Sequence, residues 1–166
     1  FIVQSCHYDF NLPRLDRYLV MADDGHLEPQ IILSKTDLVT PEELDERMDE
    51  IRRSGITAPV LPLSNRTGIG WEAFRNRLVP GKTYCLLGSS GVGKTTLINR
   101  LMGQEVFETQ GVSETGEGVH TTTRRQLLVL DSGAMLIDTP GLREIGLLGT
   151  RDGMESAFGD IRVERE

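Results

Sequence analysis

Clustered metal ligands are missing from this 166-residue chain: it holds two cysteines and three histidines, and none stand at zinc-binding spacing. A four-ligand structural zinc site is therefore excluded for the chain itself. The two thiols, Cys6 and Cys85, each fall in an expected apolar strand, where a free thiol acts as a small hydrophobe. A reduced, cytoplasmic setting follows, with a disulfide as the alternative. No apolar run approaches the length of a membrane span, and no basic stretch leads into an apolar one as a leader would. No association with a membrane is expected. Positive charge is also in short supply, the formal net charge being −7. The chain as a whole lacks the basic footprint of a nucleic-acid binder. Internal repeats and low-complexity tracts are absent as well.

What is present is an alternation of apolar runs and helical periods, within a length suited to one doubly wound sheet of five or six strands. "FIVQSC" (1–6) reads as a buried strand and 11–24 as a helix with Leu12, Leu15, Leu19 and Val20 on its apolar period. "PQIILS" (29–34) reads as a second strand. Residues 40–55 carry full helix punctuation: Thr40 as N-cap, Pro41 at the first position, Glu43 closing a capping box and Gly55 as the stop. "APVLPL" (58–63) is a third strand, and 71–79 an amphipathic helix whose Trp71 and Phe74 read as core packing. "KTYCLLG" (82–88) leads into a glycine loop, and 94–102 leaves it as a helix. Residues 103–123 are polar and aperiodic, a long loop of the functional kind. "RRQLLVLDSGAMLID" then reads as two strands joined by a tight turn at Asp131 to Gly133. The expected fold is α/β: a mostly parallel sheet covered on both faces, in three layers.

"GSSGVGKT" (88–95) satisfies G-x-x-x-x-G-K-S/T in the setting that gives the pattern meaning, a buried strand before it and a helix after it. Gly88, Gly91 and Gly93 let the backbone curl its N–H groups toward a polyphosphate, and the helix N-terminus adds positive potential. The binding run comprises Ser89, Ser90, Gly91, Val92, Gly93, Lys94, Thr95 and Thr96. Lys94 neutralises the β- and γ-phosphates, and the Thr95 hydroxyl is a ligand for Mg²⁺. In "LIDTPG" a strand ends at Asp138, positioned to hold Mg²⁺ through water, and Gly141 follows at the spacing that offers its N–H to the γ-phosphate. Between these motifs lies "HTTT". One of Thr121, Thr122 and Thr123 is expected to reach Mg²⁺ and the γ-phosphate, with Thr122 favoured. His120 is a candidate for positioning the attacking water, set against the plain reading of a solvated loop histidine.

"SKTD" (34–37) lies upstream of the phosphate loop although base-reading motifs ordinarily follow it. Its place at the end of a strand, with the next strand ending in "PLSNRTG", puts a base-reading loop at the same sheet edge as the P-loop. Asp37 would accept from the guanine ring N–H and amine, a pair adenine lacks, and Lys35 would lay its stem over the base. Backbone around Ser64 and Asn65 would meet the guanine oxygen. An ATP-using P-loop enzyme is the competing reading, and it requires "SKTD" to be idle.

The order "SKTD", "SNRTG", "GSSGVGKT", "HTTT", "DTPG" resembles the circularly permuted GTPases, and "HTTT" with "LPRLDRYL" is most similar to the RsgA/YjeQ family. The resemblance runs from Phe1 to about Ile161. It implies a permuted P-loop G domain over 1–150, a GTP-binding and GTP-hydrolysing switch with GTP or GDP and Mg²⁺ as ligands, and a role in late maturation of the small (30S) ribosomal subunit. That particle is the implied partner and stimulator of turnover. The family also implies an OB-fold before this domain and a zinc-binding domain after it, so 151–166 reads as the start of a truncated C-terminal module. Zinc and the rRNA contacts would belong to those flanking parts, and a monomer is expected. Ser34 stands where the commonest motif has Asn, which removes an amide that would tie the base loop to the P-loop. Leu142 stands where Ras-type enzymes carry a water-orienting Gln, so slow intrinsic turnover is expected; the alternative is a guanine-nucleotide-binding module with negligible turnover in isolation.

Overall fold

The computed structural model describes residues 1–7, 9–103 and 126–138. The expectations for His120, Thr121 to Thr123, Gly141, Leu142 and 151–166 lie outside the described residues.

The described residues include six strands: β1 (Ile2–Ser5), β2 (Ile31–Ser34), β3 (Val60–Pro62), β4 (Thr83–Cys85), β5 (Gln126–Val129) and β6 (Met135–Asp138). β1, β2 and β3 pair in parallel, as do β4 and β6, while β5 pairs antiparallel with β6. The two ladders meet where β1 runs beside the end of β4. Val3 N–H donates to Leu87 O at 2.7 Å and Leu87 N–H to Phe1 O at 2.8 Å, around a parallel bridge between Ile2 and Leu87. The spatial order is thus β3-β2-β1-β4-β6-β5. The phosphate-loop strand sits near the middle, flanked by the strand that opens the chain.

Strict alternation along the parallel strands sends successive side chains to opposite faces. Ile2, Ile31, Leu33 and Leu87 pack with Leu15 and Tyr18 of α1 (Leu12–Asp24) and Ile51 of α2 (Pro41–Arg53). On the other face Val3, Ile32, Leu61, Leu86 and Leu136 meet Phe74 of α3 (Trp71–Arg75) and Leu97 and Ile98 of α4 (Lys94–Met102). Both faces are covered, which is why β1 and β2 read as continuous apolar runs. Each fully buried Leu or Ile contributes about 1.5–3 kcal/mol, so the sheet is held chiefly by these two layers.

α2 starts with the expected capping box: Thr40 Oγ1 accepts from Glu43 N–H at 3.2 Å, and the Glu43 carboxylate accepts from Thr40 N–H at 2.7 Å. α1 is capped by Asn11, whose Oδ1 accepts from Arg14 N–H at 2.9 Å. Its apolar face is shifted from the expected one. Val20 is 61% exposed, and Tyr18 and Ala22 take the core positions beside Leu15.

The helix expected over 71–79 is only five residues long. The Tyr84 hydroxyl accepts from Val79 N–H at 2.9 Å and donates to Arg77 O at 2.8 Å, so β4 satisfies the backbone that further helix would have paired. Leu78 then turns into the core while Val79 is exposed. The turn between β5 and β6 falls as expected, with Leu130 N–H donating to Ala134 O and Gly133 N–H to Leu130 O, both at 2.8 Å.

Candidate nucleotide-binding site

All three described motifs lie beyond the carboxyl ends of parallel strands: 88–95 after β4, 34–37 after β2 and 64–68 after β3. Asp138 closes β6, the parallel neighbour of β4, so its backbone lies at that same edge.

The phosphate loop takes its shape from backbone. Gly91 (φ 75°) and Gly93 (φ 99°) adopt conformations that side chains avoid. At Gly88 the constraint is closeness: a Cβ there would stand 2.2 Å from Val3 O. Lys94, 7% exposed, donates Nζ to Gly88 O at 2.6 Å and also to Ser89 O. Its ammonium is thereby held over the loop, at the N-terminus of α4 where the helix dipole also favours an anion. Thr95 is half-buried in the first turn of α4, beside exposed Thr96, and Ser90 and Gly91 are exposed at the loop's tip. The Val92 side chain is core, at 1% exposure, so this residue offers the site only its backbone.

Ser89 behaves in a way its motif position does not disclose. Its hydroxyl donates to the Asp9 carboxylate in the β1–α1 connection, and Asp9 is ion-paired with Arg14 at 2.9 Å. The Ser89 carbonyl faces Lys94 while its side chain faces away toward Asp9.

The base-side loops are shaped by side chains. Ser34, 1% exposed, donates its hydroxyl to Val92 O at 2.7 Å, with Gln4 O further off at 3.2 Å. The expectation that Ser34 forfeits the tie to the phosphate loop is therefore corrected: the hydroxyl makes it, because β2 runs close enough for a short side chain to reach. Lys35 then adopts a left-handed conformation (φ 61°), costly for a non-glycine residue, and a single 3₁₀ turn (Thr36–Leu38) carries Asp37. Asp37 Oδ1 accepts from Ser64 Oγ at 2.6 Å. Ser64 is fully buried, and its oxygen also accepts from Arg66 N–H at 3.2 Å and Thr67 N–H at 3.0 Å. That hydroxyl links the carboxylate expected to read guanine to the turn after β3.

Ser64 N–H is itself committed to Ile69 O at 3.0 Å, which leaves Asn65 as the candidate backbone donor in "SNRTG". Asn65 is anchored twice more: Nδ2 donates to Gly93 O at 3.3 Å, and its carbonyl accepts from Arg100 Nη1 at 2.9 Å. The Arg100 guanidinium lies over the Trp71 ring, 4.2 Å from its centroid. Buried polar atoms without a partner among the described residues include Thr36 Oγ1 and Asn65 Oδ1, both in these base-side loops.

Beneath the base loop, the Cys6 thiol donates to Ser34 O at 3.0 Å. Burial pushes it up to about 11, so it stays a neutral donor at ordinary pH. Cys6 and Cys85 are both free thiols.

Motif spacing thus located Ser34, Asp37, Ser64, Asn65 and 88–96 at one edge, but it missed Asp9, Arg14 and Arg100. Arg14 falls within "LPRLDRYL" but nothing there ties it to the site, and Asp9 and Arg100 act on residues 80 and 35 positions away. No helix among the described residues is long and apolar enough to cross a membrane.

Comparison with known proteins agrees with this geometry. The family model described as RsgA GTPase matches residues 1–148. The Small ribosomal subunit biogenesis GTPase RsgA of Opitutus terrae is 48% identical over 150 residues, covering 90% of this chain and 40% of that protein. The protein of the same name from Methanosarcina acetivorans is 44% identical over 163 residues, covering 97% of this chain and 43% of its own length. The chain spans less than half the length of these curated relatives. Among solved structures, YjeQ from Thermotoga maritima superposes with a TM-score of 0.67 at 28% identity, covering 99% of this chain and 56% of that one. YloQ, described as a circularly permuted GTPase, shares the fold with a TM-score of 0.60 at 22% identity, covering 97% of this chain and 47% of that one. A phosphate loop preceded in sequence by its base loops, in a permuted fold that the family model matches over nearly all its length, means that this chain belongs to the RsgA GTPase family.

Proposed function

We propose that this chain is a GTP-binding and GTP-hydrolysing switch domain that serves late maturation of the small ribosomal subunit, with that particle as partner and stimulator. The observation that carries the nucleotide assignment is the joining of base and phosphate loops: Ser34 bonds Val92 O and Asn65 bonds Gly93 O, adjacent carbonyls of the P-loop. A base held by Asp37 is thus in register with phosphates held by 88–95. The ribosomal role is supported by what the relatives are called, Small ribosomal subunit biogenesis GTPase RsgA.

In this reading Asp37 accepts from the guanine N–H groups, Lys35 covers the base, and the N–H of Asn65 meets the guanine oxygen. The N–H groups of 89–95 bind the phosphates. Lys94 turns from the loop carbonyls to the β- and γ-oxygens and neutralises charge as water attacks the γ-phosphorus and the β–γ bridging bond breaks. Gly141 N–H and Thr122 engage the γ-phosphate, and His120 is the candidate for orienting the water. Thr95, Thr122 and Asp138 would hold Mg²⁺; so sparse a protein donor set suits an ion that keeps several waters and takes phosphate oxygens. When bound, that ion would neutralise charge developing on the phosphates.

Residues 1–150 form the GTPase unit and 151–166 begin a further module, and the domain works as a cytoplasmic monomer. Contacts to rRNA, and zinc, belong to flanking parts of the longer protein. Leu142 in place of a water-orienting Gln favours slow turnover without the ribosome, and the limiting form of that reading is a binding module with negligible turnover. Multiple-turnover assays with Lys94→Ala as blank separate the two.

The test of the nucleotide reading is displacement of a fluorescent guanine nucleotide by GDP, GTP, XDP and ATP. GDP and GTP compete and ATP does not, and Asp37→Asn shifts preference toward XDP. Equal competition by ATP with an indifferent Asp37→Asn would mean the motif is idle.

A further inference from the structure

Arg100 lies on α4, the helix that begins at the phosphate loop, and its half-buried side chain turns to the segment after β3. Nη1 donates to Asn65 O at 2.9 Å while Cζ lies over the Trp71 ring, 4.2 Å from its centroid. The turn between those two contacts presses against the same group: a Cβ built on Gly68 would stand 3.3 Å from Arg100 Nη2. Gly68 N–H donates to Ser64 O and Trp71 N–H to Gly68 O, so the 64–71 segment closes into a compact loop capped by a planar cation. Stacking on an aromatic face and donating in the same plane is what a guanidinium does and an ammonium does not.

We infer that Arg100 is a positioning residue for base recognition: it pins the Asn65 carbonyl and, through the backbone torsions of that residue, sets the direction in which the Asn65 N–H is presented to the C6 oxygen of guanine. The carbonyl that Arg100 holds and the N–H offered to the base belong to the same residue. The two groups lie in successive peptide planes joined at the Asn65 Cα, so a held carbonyl restricts the torsions that aim the N–H. Asn65 Nδ2 on Gly93 O supplies the second anchor, on the P-loop itself, so the base contact is set by the helix and loop that grip the phosphates. Trp71 holds the guanidinium flat, and Gly68 leaves the room for it. This inference rests on the guanine-nucleotide reading of the site.

The experiment compares GDP with 6-thioguanosine diphosphate, whose C6 sulfur is a poor hydrogen-bond acceptor, on wild type, Arg100→Met and Arg100→Lys. Arg100→Met keeps length and apolar contact with Trp71 but removes the donor. It is expected to weaken GDP about tenfold, the value of one well-placed hydrogen bond, while the thio analogue changes less than about twofold because that contact is already lost. Arg100→Lys is expected to weaken GDP about threefold with the same selectivity for oxygen over sulfur, and it carries the comparison should Arg100→Met fail to fold. Equal losses for both nucleotides would mark Arg100 as merely structural, and no loss for either would mark the contact as idle; each overturns the inference. Failure of wild type to prefer GDP over ATP is a different result, seen before any variant is made, and it would remove the guanine reading itself.

Discussion

The phosphate loop and the base loops meet at adjacent peptide groups, yet they are built by different means. Residues 88–93 take their path from glycines and from main-chain carbonyls gathered around Lys94, so the loop's shape is a property of its backbone. The 34–37 and 64–68 loops take theirs from side chains: the hydroxyls of Ser34 and Ser64, the amide of Asn65 and the guanidinium of Arg100. The difference teaches where each is fragile. A backbone-built loop fails when a single methyl is added, whereas a side-chain-built loop loosens in steps as polar groups are removed.

The sharpest break is therefore Gly88→Ala. The new methyl would meet Val3 O at 2.2 Å, across the contact that joins the two ladders, and no rotamer can relieve it. A loss of more than about 3 kcal/mol is expected, a fall of roughly 10 °C in melting temperature for a domain of this size. Thermal denaturation read by circular dichroism checks it, and nucleotide binding should vanish with the fold.

Ser34→Ala tests the other kind of loop. Removing the hydroxyl leaves the Val92 carbonyl without its donor in a buried setting, at a cost of about 1–2 kcal/mol. GDP affinity measured by titration calorimetry is expected to fall roughly fivefold to tenfold, with discrimination against ATP unchanged because Asp37 is intact. A loss as large as that of Gly88→Ala would invert the comparison.

The smallest effect concerns pH. The buried Cys6 thiol titrates near 11, above its ordinary value of 9.0, so the folded form keeps its proton where the unfolded chain loses it. Its contribution to stability is whole below pH 9 and is lost as pH rises toward 11. Melting curves should fall more steeply over that interval in wild type than in Cys6→Ser, which keeps a donor for Ser34 O but does not titrate there. Parallel slopes would show that Cys6 contributes nothing to alkaline sensitivity.

Asp37 illustrates how much of the site was legible. Its residue type, its strand-end position and its motif all pointed to base recognition, but nothing in "SKTD" indicates that a serine 27 positions later would hold its carboxylate. The same holds for Ser34, whose short side chain implies a missing tie in sequence but reaches Val92 O because β2 runs beside the phosphate loop. For α3 the amphipathic period continued through Val79, and the helix ends early because a tyrosine from β4 takes its backbone groups. Val20 fits the helical period of α1 but looks outward, since Tyr18 and Ala22 fill the available core.

Features whose physics closes within a few residues were determined by the sequence alone. The glycine loop with its lysine, the capping box of α2, the turn at Asp131 to Gly133 and the two-sided burial of β1 and β2 each depend on local geometry or on composition. The partners of Ser34, Ser64, Asn65, Ser89 and Arg100 were decided only by the tertiary structure. A hydrogen bond spanning 27 to 80 residues exists because the sheet places particular strand ends side by side, and strand order is a property of the whole packed domain rather than of any segment in it.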